Sequence, residues 1–234
     1  MQAVILAGGE GKRLRPLTHA IPKAMIRIAG KPFLEHQISL LKRNSVDDIV
    51  VCIGYLGNRI RSYFRDGTSQ DVMIRYSDDG EKLLGTAGCL KNAKDLLAER
   101  FFIVFGDSYP ILDYPAAWNR FLDCDKASMM VVLRNNDSYC PSNTVVQEGM
   151  VTAYSKRSKI PEMDCVEFGV TFLSRNALKI IPDSEPVDLE LLYSRLIEAK
   201  QMAALEVSQR IYEIGSPQGL EEFRALFESG KIVV

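Results

Sequence analysis

Histidine is scarce in this chain. His19 and His36 are the only two in 234 residues, and His36, beside Gln37 on a helical stretch with no evident partner, reads as structural rather than catalytic. Cys52, Cys89, Cys124, Cys140 and Cys165 are odd in number and scattered, with no C-x-x-C pair, which argues against a disulfide framework or a zinc site and for a reducing compartment. Net charge is nearly absent as well. At −1, with 25% of residues charged, the chain is marked neither as a nucleic-acid binder nor as a basic membrane-surface protein, so any affinity for anions has to be local. No apolar run approaches a membrane span, and the first residues read as strand and loop rather than as a leader with a cleavage site; the expected location is the cytoplasm. The length suits one sizeable core, hence one α/β domain over 1–234 rather than two.

What is present is concentrated at the start. Val4-Ile5-Leu6-Ala7 reads as a buried parallel strand and empties into Gly8, Gly9 and Gly11, followed by Lys12, Arg13, Arg15 and, after Pro22, Lys23. This is a phosphate-binding layout: glycine lets backbone N–H groups approach an anion and permits positive φ, while the cations supply charge for several phosphates at once. Two common phosphate loops fail on spacing. A Walker A loop needs G-x-x-x-x-G-K-[ST], but Leu6 stands where its first glycine should be and Arg13 follows Lys12. A G-x-G-x-x-G fingerprint fits Gly9 and Gly11 but meets Leu14 at its third glycine, and no acid closes an obvious second strand downstream.

Further on, a helix is expected at or just after Pro32, a strand in the apolar run Asp48–Tyr55, a helix through Ile60, Tyr63 and Phe64, and a strand over Val72–Tyr76. That β-α-β-α-β order selects a parallel sheet with helices on its faces. Leu84-Gly85-Thr86-Ala87-Gly88 runs into a helix, a setting that favours backbone contacts to a base or phosphate. Phe101–Phe105 is the most apolar run and the expected centre of the sheet; it delivers Gly106-Asp107 to a carboxyl edge, where an aspartate can hold a divalent cation against phosphate oxygens. Strands over 128–134 and 167–173, a helix over about 187–200, a strand over 202–207 and a last helix from Ser216-Pro217 complete the pattern. The polar stretch Asn135–Asn143 reads as a rim loop, and Thr144–Val146 with Met150–Tyr154 as a hairpin. The fold class is thus α/β: a single three-layer domain with a mostly parallel mixed sheet and a small antiparallel appendage.

The string Leu6-Ala7-Gly8-Gly9-x-Gly11-x-Arg13-Leu14-x-Pro16-Leu17-Thr18, closed by Pro22-Lys23, resembles the signature of the sugar-1-phosphate nucleotidyltransferases, also called nucleoside-diphosphate-sugar pyrophosphorylases. The resemblance implies a Rossmann-like fold and transfer of a nucleotidyl group from a nucleoside triphosphate to a sugar 1-phosphate, with Mg²⁺ and without nucleic acid or membrane partners; homo-oligomers are common in the family. By this resemblance Leu6, Ala7, Gly8, Gly9, Gly11, Lys12 and Arg13 bind the nucleotide, joined by Gly85, Thr86 and Gly88 of a second loop. Arg13, Lys23 and Asp107 carry the catalytic roles, and Asp107 shares the metal with Glu213, which stands where the family has aspartate in D-x-G-[ST]-P. Lys156 occupies the lysine of the family's E-K-P, with Ser155 and Arg157 in place of Glu and Pro, and would reach the sugar phosphate; Glu167 and Gly169 would bind the sugar. Gly30-Lys31-Pro32-Phe33-Leu34-Glu35 and Leu84–Gly88 are most similar to heptose 1-phosphate guanylyltransferases and related hexose-phosphate enzymes. Two other readings stay open: a nucleotidyltransferase for a non-sugar phosphate, and a non-catalytic nucleotide-sugar-binding subunit.

Overall fold

A computed structural model describes residues 1–183 and 186–232. The first strand, β1 (Gln2–Leu6), alternates its side chains between two cores: Ala3 and Ile5 enter one, Val4 the other, as a strand covered on both faces requires. The glycine turn, three short 3₁₀ turns and the ribbon β2 (Arg27–Ile28) and β3 (Lys31–Pro32) follow. Pro32 precedes α1 (Phe33–Arg43), where its fixed φ suits a helix start. The chain then alternates through β4 (Asp48–Ile53), α2 (Gly57–Phe64), β5 (Met73–Asp78), α3 (Gly85–Asn92) and β6 (Arg100–Phe105). A short β7 (Ser108–Tyr109) leads to α4 (Tyr114–Asp123), β8 (Ser128–Arg134), the hairpin β9 (Thr144–Gln147) and β10 (Met150–Tyr154), and β11 (Cys165–Ser174). The closing elements are α5 (Leu189–Glu198), β12 (Met202–Val207), β13 (Tyr212–Glu213) and α6 (Pro217–Glu228).

Nine strands form one mixed sheet in the order β5-β4-β1-β6-β11-β8-β12-β10-β9. The parallel block β5-β4-β1-β6 matches the crossover pattern expected from the sequence. The middle position differs from expectation. It belongs to β11, antiparallel to both β6 and β8, with β6 beside it. Glu167, Gly169 and Thr171 interrupt the apolar run of β11, so its sequence looks less interior than Phe101–Phe105, although nine of its ten residues are buried. The hairpin β9/β10 extends the edge of the main sheet through β12 and touches β11; the free-standing antiparallel pieces are β2/β3 and β7/β13.

Helices cover both faces. Ile38 and Leu41 of α1, Ile60 and Phe64 of α2 and Phe121 of α4 share one core with Ile5 and Val51, while Leu90 of α3 and Leu192 and Leu196 of α5 share the other with Val4 and Ile103. A third, smaller core joins Phe33, Tyr109, Ile214, Leu220 and Phe223. Its aromatic rings lie 5.1–6.3 Å apart, centroid to centroid, and clip α6 and β13 against α1 and β7. Among the described residues, no helix is long and apolar enough to cross a membrane. All five cysteines are free thiols.

Candidate active site

The carboxyl ends of β1, β5 and β6 open onto a cavity of about 770 Å³, where ligands sit in open α/β sheets. One wall is the glycine turn: Leu6, Ala7, Gly8, Gly9 and Arg13 line it. Among the described residues, the backbone N–H groups of residues 8–13 have no hydrogen-bond acceptor within the chain, which leaves a run of donors free for an anion. Gly11 makes the turn possible rather than lining the cavity. It sits at φ +62°, where a side chain is strained, and a methyl group there would lie 2.9 Å from Thr18 Cγ2 and 3.2 Å from Lys23 Cβ. Thr18 locks the turn by donating to Gly11 O at 3.0 Å. Lys12 points away from the cavity, its ammonium 2.7 Å from Glu10 and largely in solvent.

Asp107 and Glu213 come from segments more than a hundred residues apart, and a minimal ladder joins them. In β7/β13 Glu213 pairs with Ser108, and Ile214 N–H donates to Asp107 O at 2.8 Å. Lys23 Nζ lies 2.6 Å from Asp107 Oδ2. Glu213 is braced on the start of α6, accepting from Gly215 N–H through Oε2 and from Ser216 O–H at 2.6 Å through Oε1, while Ser216 caps Gly219 N–H at 3.0 Å. A methyl group placed on Gly215 would meet Glu213 Oε2 and stand 2.6 Å from Asp107 Oδ2 and 2.9 Å from Arg13 Nη2. The two carboxylates and the guanidinium therefore converge on one point. From behind, Gln37 of α1 donates Nε2–H to Phe105 O at 2.9 Å and to Ser108 O at 2.6 Å, closing the turn that presents Asp107.

The opposite wall carries Lys156, Glu167 and Gly169. Strand alternation puts Glu167 on the same face of β11 as Cys165 and Thr171, toward Tyr154 and the cavity, at the point where the register with β8 shifts. The Glu167 side chain is 3% exposed; Oε2 accepts from Tyr154 O–H at 2.6 Å, and among the described residues Oε1 has no hydrogen-bond partner. Burial, with the neighbouring Glu167 charge, pushes the Tyr154 phenol far above its ordinary pKa, so it remains a donor. Lys156 Nζ lies 3.7 Å from Glu167 Oε2 and 4.7 Å from the Phe105 ring centroid. Gly169, at φ +81°, packs against the Ser108 side chain, tying β11 to the turn after Asp107.

The second loop divides its roles. Gly85 and Thr86 line the cavity, but Gly88 does not: it is buried, and its N–H donates to Val187 O at 3.1 Å. Gly85, at φ +79°, lies so close to Val187 that a methyl group would stand 2.5 Å from its carbonyl oxygen. Gln37, Tyr154 and Gly215 are additional site residues that the sequence did not single out for a role. Gln37 and Tyr154 lie outside any motif and act on partners 13 to 71 residues away, whereas Gly215 is the glycine of the D-x-G-[ST]-P segment, in which the sequence assigns a role to the acid alone.

A family model described as nucleotidyl transferase matches residues 2–142. The chain belongs to the nucleotidyl transferase family. Among curated members, it is 31% identical over 205 residues to UTP–glucose-1-phosphate uridylyltransferase of Synechocystis sp., covering 81% of this chain and 53% of the relative. It is 32% identical over 232 residues to mannose-1-phosphate guanylyltransferase 1 of Arabidopsis thaliana, covering 93% of this chain and 62% of the relative. N-acetylmuramate alpha-1-phosphate uridylyltransferase of Neisseria meningitidis is 38% identical over 119 residues, half of this chain and 52% of that one. The chain thus spans 53% to 62% of the length of the first two of these nucleotidyl transferases. The fold agrees with that of HddC from Yersinia pseudotuberculosis, with a TM-score of 0.82 at 24% identity over 97% of this chain and 99% of the other. It also agrees with the inositol-1-phosphate CTP transferase from T. maritima, with a TM-score of 0.79 at 23% identity over 100% of this chain and 97% of that one.

Proposed function

We propose that this nucleotidyl transferase joins a nucleoside triphosphate to a sugar 1-phosphate, giving a nucleoside-diphosphate sugar and pyrophosphate. The observation that carries the proposal is the convergence of Asp107, Glu213 and Arg13 at Gly215, on the rim of a cavity with free backbone donors on one wall and a buried acid on the other. An oxygen of the acceptor phosphate forms a bond to the α-phosphorus as the bond from that phosphorus to the pyrophosphate oxygen breaks. The attacking oxygen is ionised near neutral pH, so no general base is needed. Catalysis is then positioning and neutralisation of two polyanions. Arg13 and Lys23 carry the triphosphate charge, and the backbone donors of Gly8, Gly9 and Arg13, which line the cavity, cradle it.

Mg²⁺ fits the donor set. Asp107 and Glu213 are hard oxygen ligands whose carboxylates converge at Gly215, and phosphate oxygens of the substrate would complete the shell. When bound, the ion would draw charge from the phosphoryl group. Lys23, paired with Asp107, holds that carboxylate in place.

Glu167 speaks for a sugar. Its buried Oε1 calls for an O–H or N–H donor, which a sugar ring offers at several positions and the trimethylammonium of phosphocholine at none. Within that class we favour GTP with a heptose or hexose 1-phosphate, on the similarity of residues 30–35 and 84–88 to the heptose enzymes. The same reading carries a cytoplasmic setting, where nucleoside triphosphates are made, and assembly as a homo-oligomer.

Pyrophosphate release, measured for four nucleoside triphosphates against a panel of sugar 1-phosphates with Mg²⁺, tests this. Turnover is expected with at least one pair, and best with GTP. Tight nucleotide binding without turnover of any pair would replace the transferase with a non-catalytic binding subunit, and turnover confined to non-sugar phosphates would overturn the reading of Glu167.

A further inference from the structure

Helix α5 bonds to both walls of the cavity through its first turn and the residues just before it. On the nucleotide side, Val187 O accepts from Ala87 N–H at 2.8 Å and Gly88 N–H at 3.1 Å, Val187 N–H donates to Leu84 O at 2.8 Å, and Leu189 N–H donates to Thr86 Oγ1 at 2.8 Å. Glu190 faces the other wall. Its Oε1 accepts from Ser155 O–H at 2.7 Å and from Lys156 N–H at 3.2 Å. Ser155 Oγ in turn accepts from the N–H groups of Arg157 at 3.1 Å and Ser158 at 3.0 Å, so one carboxylate anchors a turn of four residues. From that turn the Lys156 side chain runs across the Phe105 ring toward Glu167.

We infer that Glu190 is a positioning residue for the acceptor end of the site: its carboxylate fixes the turn at Ser155–Ser158 so that the Lys156 ammonium stands at the mouth of the Glu167 pocket. Lysine is a flexible side chain carrying a point charge, and it delivers that charge to one place only when its backbone is held. A charge-assisted acceptor presented from a helix that is itself tied to residues 84–88 supplies such a hold. A purely local role is the competing account, because an acid in the first turn also favours the helix through its dipole. That role would act on stability and leave the two substrates alike.

The inference rests on Lys156 binding the acceptor phosphate, and the experiment separates the two. Steady-state kinetics in each substrate, with melting curves, would be measured for Glu190→Ala, Glu190→Gln, Ser155→Ala, the double variant Ser155→Ala with Glu190→Ala, and Lys156→Ala. Glu190→Ala is expected to raise the acceptor KM about tenfold and to leave the nucleotide KM within about twofold. Glu190→Gln, which keeps an oxygen at the same place, should recover most of the loss. The double variant should lose less than the sum of the two single losses, because the bond between Ser155 and Glu190 is shared by both while Ser155 keeps its own bonds to the N–H groups of Arg157 and Ser158. Equal shifts in both KM values, a fall in melting temperature with no acceptor effect, or additive losses in the double variant would overturn the inference. If Lys156→Ala raises the acceptor KM and Glu190→Ala does not, only the role of Glu190 falls. If Lys156→Ala leaves the acceptor KM untouched, the assignment of Lys156 fails and Glu190 has nothing to position.

Discussion

Alanine at Gly215 is a small change aimed at the point where the three charged groups meet. The added methyl would stand 2.6 Å from Asp107 Oδ2 and 2.9 Å from Arg13 Nη2 and would collide with Glu213 Oε2. Ordinary contact needs about 3.5 Å, so each group has to retreat by roughly 1 Å or a little less. All three are tips of side chains, and Gly215 is not among the residues at positive φ, so the backbone can accept alanine. Overpacking costs about 1–3 kcal/mol where neighbours are rigid, and the stiffer unfolded chain returns about 0.4–1 kcal/mol. With mobile neighbours, the net loss of stability should be about 1 kcal/mol. Activity should suffer far more, because a displacement of about 1 Å at reacting groups can cost about a hundredfold, or about 2.7 kcal/mol of barrier. Pyrophosphate release gives kcat, and thermal melting in the same buffer reports the fold. A variant that melts near the parent and keeps kcat within about threefold would refute the argument, since these three groups would then not need their observed positions.

Asp107→Asn keeps the shape of the side chain and removes its charge beside Lys23; turnover should vanish while the protein stays folded, and an active variant with unchanged Mg²⁺ dependence would remove Asp107 from the metal site. Gln37→Met, close in volume, strips the donor from Phe105 O and Ser108 O; stability should fall by about 2–3 kcal/mol in denaturant titrations, with weaker binding of Mn²⁺ together with nucleotide, and metal binding equal to the parent's would make Gln37 a core residue only. Burial holds the His36 pKa below 6.5 against the opposing effect of its bond to Ile28 O, so the folded protein resists a proton that the unfolded chain takes up. Its stabilising contribution is therefore complete above about 6.5 and is lost as pH falls through the folded value. Between pH 7.5 and pH 5.5 the parent should lose more melting temperature than His36→Gln, and equal slopes would refute the linkage.

The strands were legible because their apolar residues follow a period of two or run unbroken, and the crossover pattern then dictates a parallel block. The middle of the sheet was not, because β11 spends Glu167, Gly169 and Thr171 on the cavity, the bulge and a buried hydroxyl bond to Tyr193, so the most apolar run lies one strand away. The glycine turn was visible as a motif, yet spacing alone does not say which members face the cavity: Gly8 and Gly9 do, Gly11 shapes the turn and Lys12 turns outward. Gly88 spends its N–H on Val187, a partner about a hundred residues away. The meeting of Asp107 and Glu213 depends on a ladder of two residues and on the Phe33–Tyr109–Phe223 cluster, whose members sit far apart in the chain. Gln37 and Glu190 each act through a pair of hydrogen bonds to residues 34 to 71 positions away, and no local pattern announces them.

The brevity of that ladder has a bearing on biosynthesis. A nascent chain synthesised through β12 already holds all nine strands of the main sheet and one of the paired acids, but not the other. The partner arrives only when β13 and α6 have left the ribosome and clipped onto Phe33, so the two acids proposed to share a metal are not brought together until α6 docks.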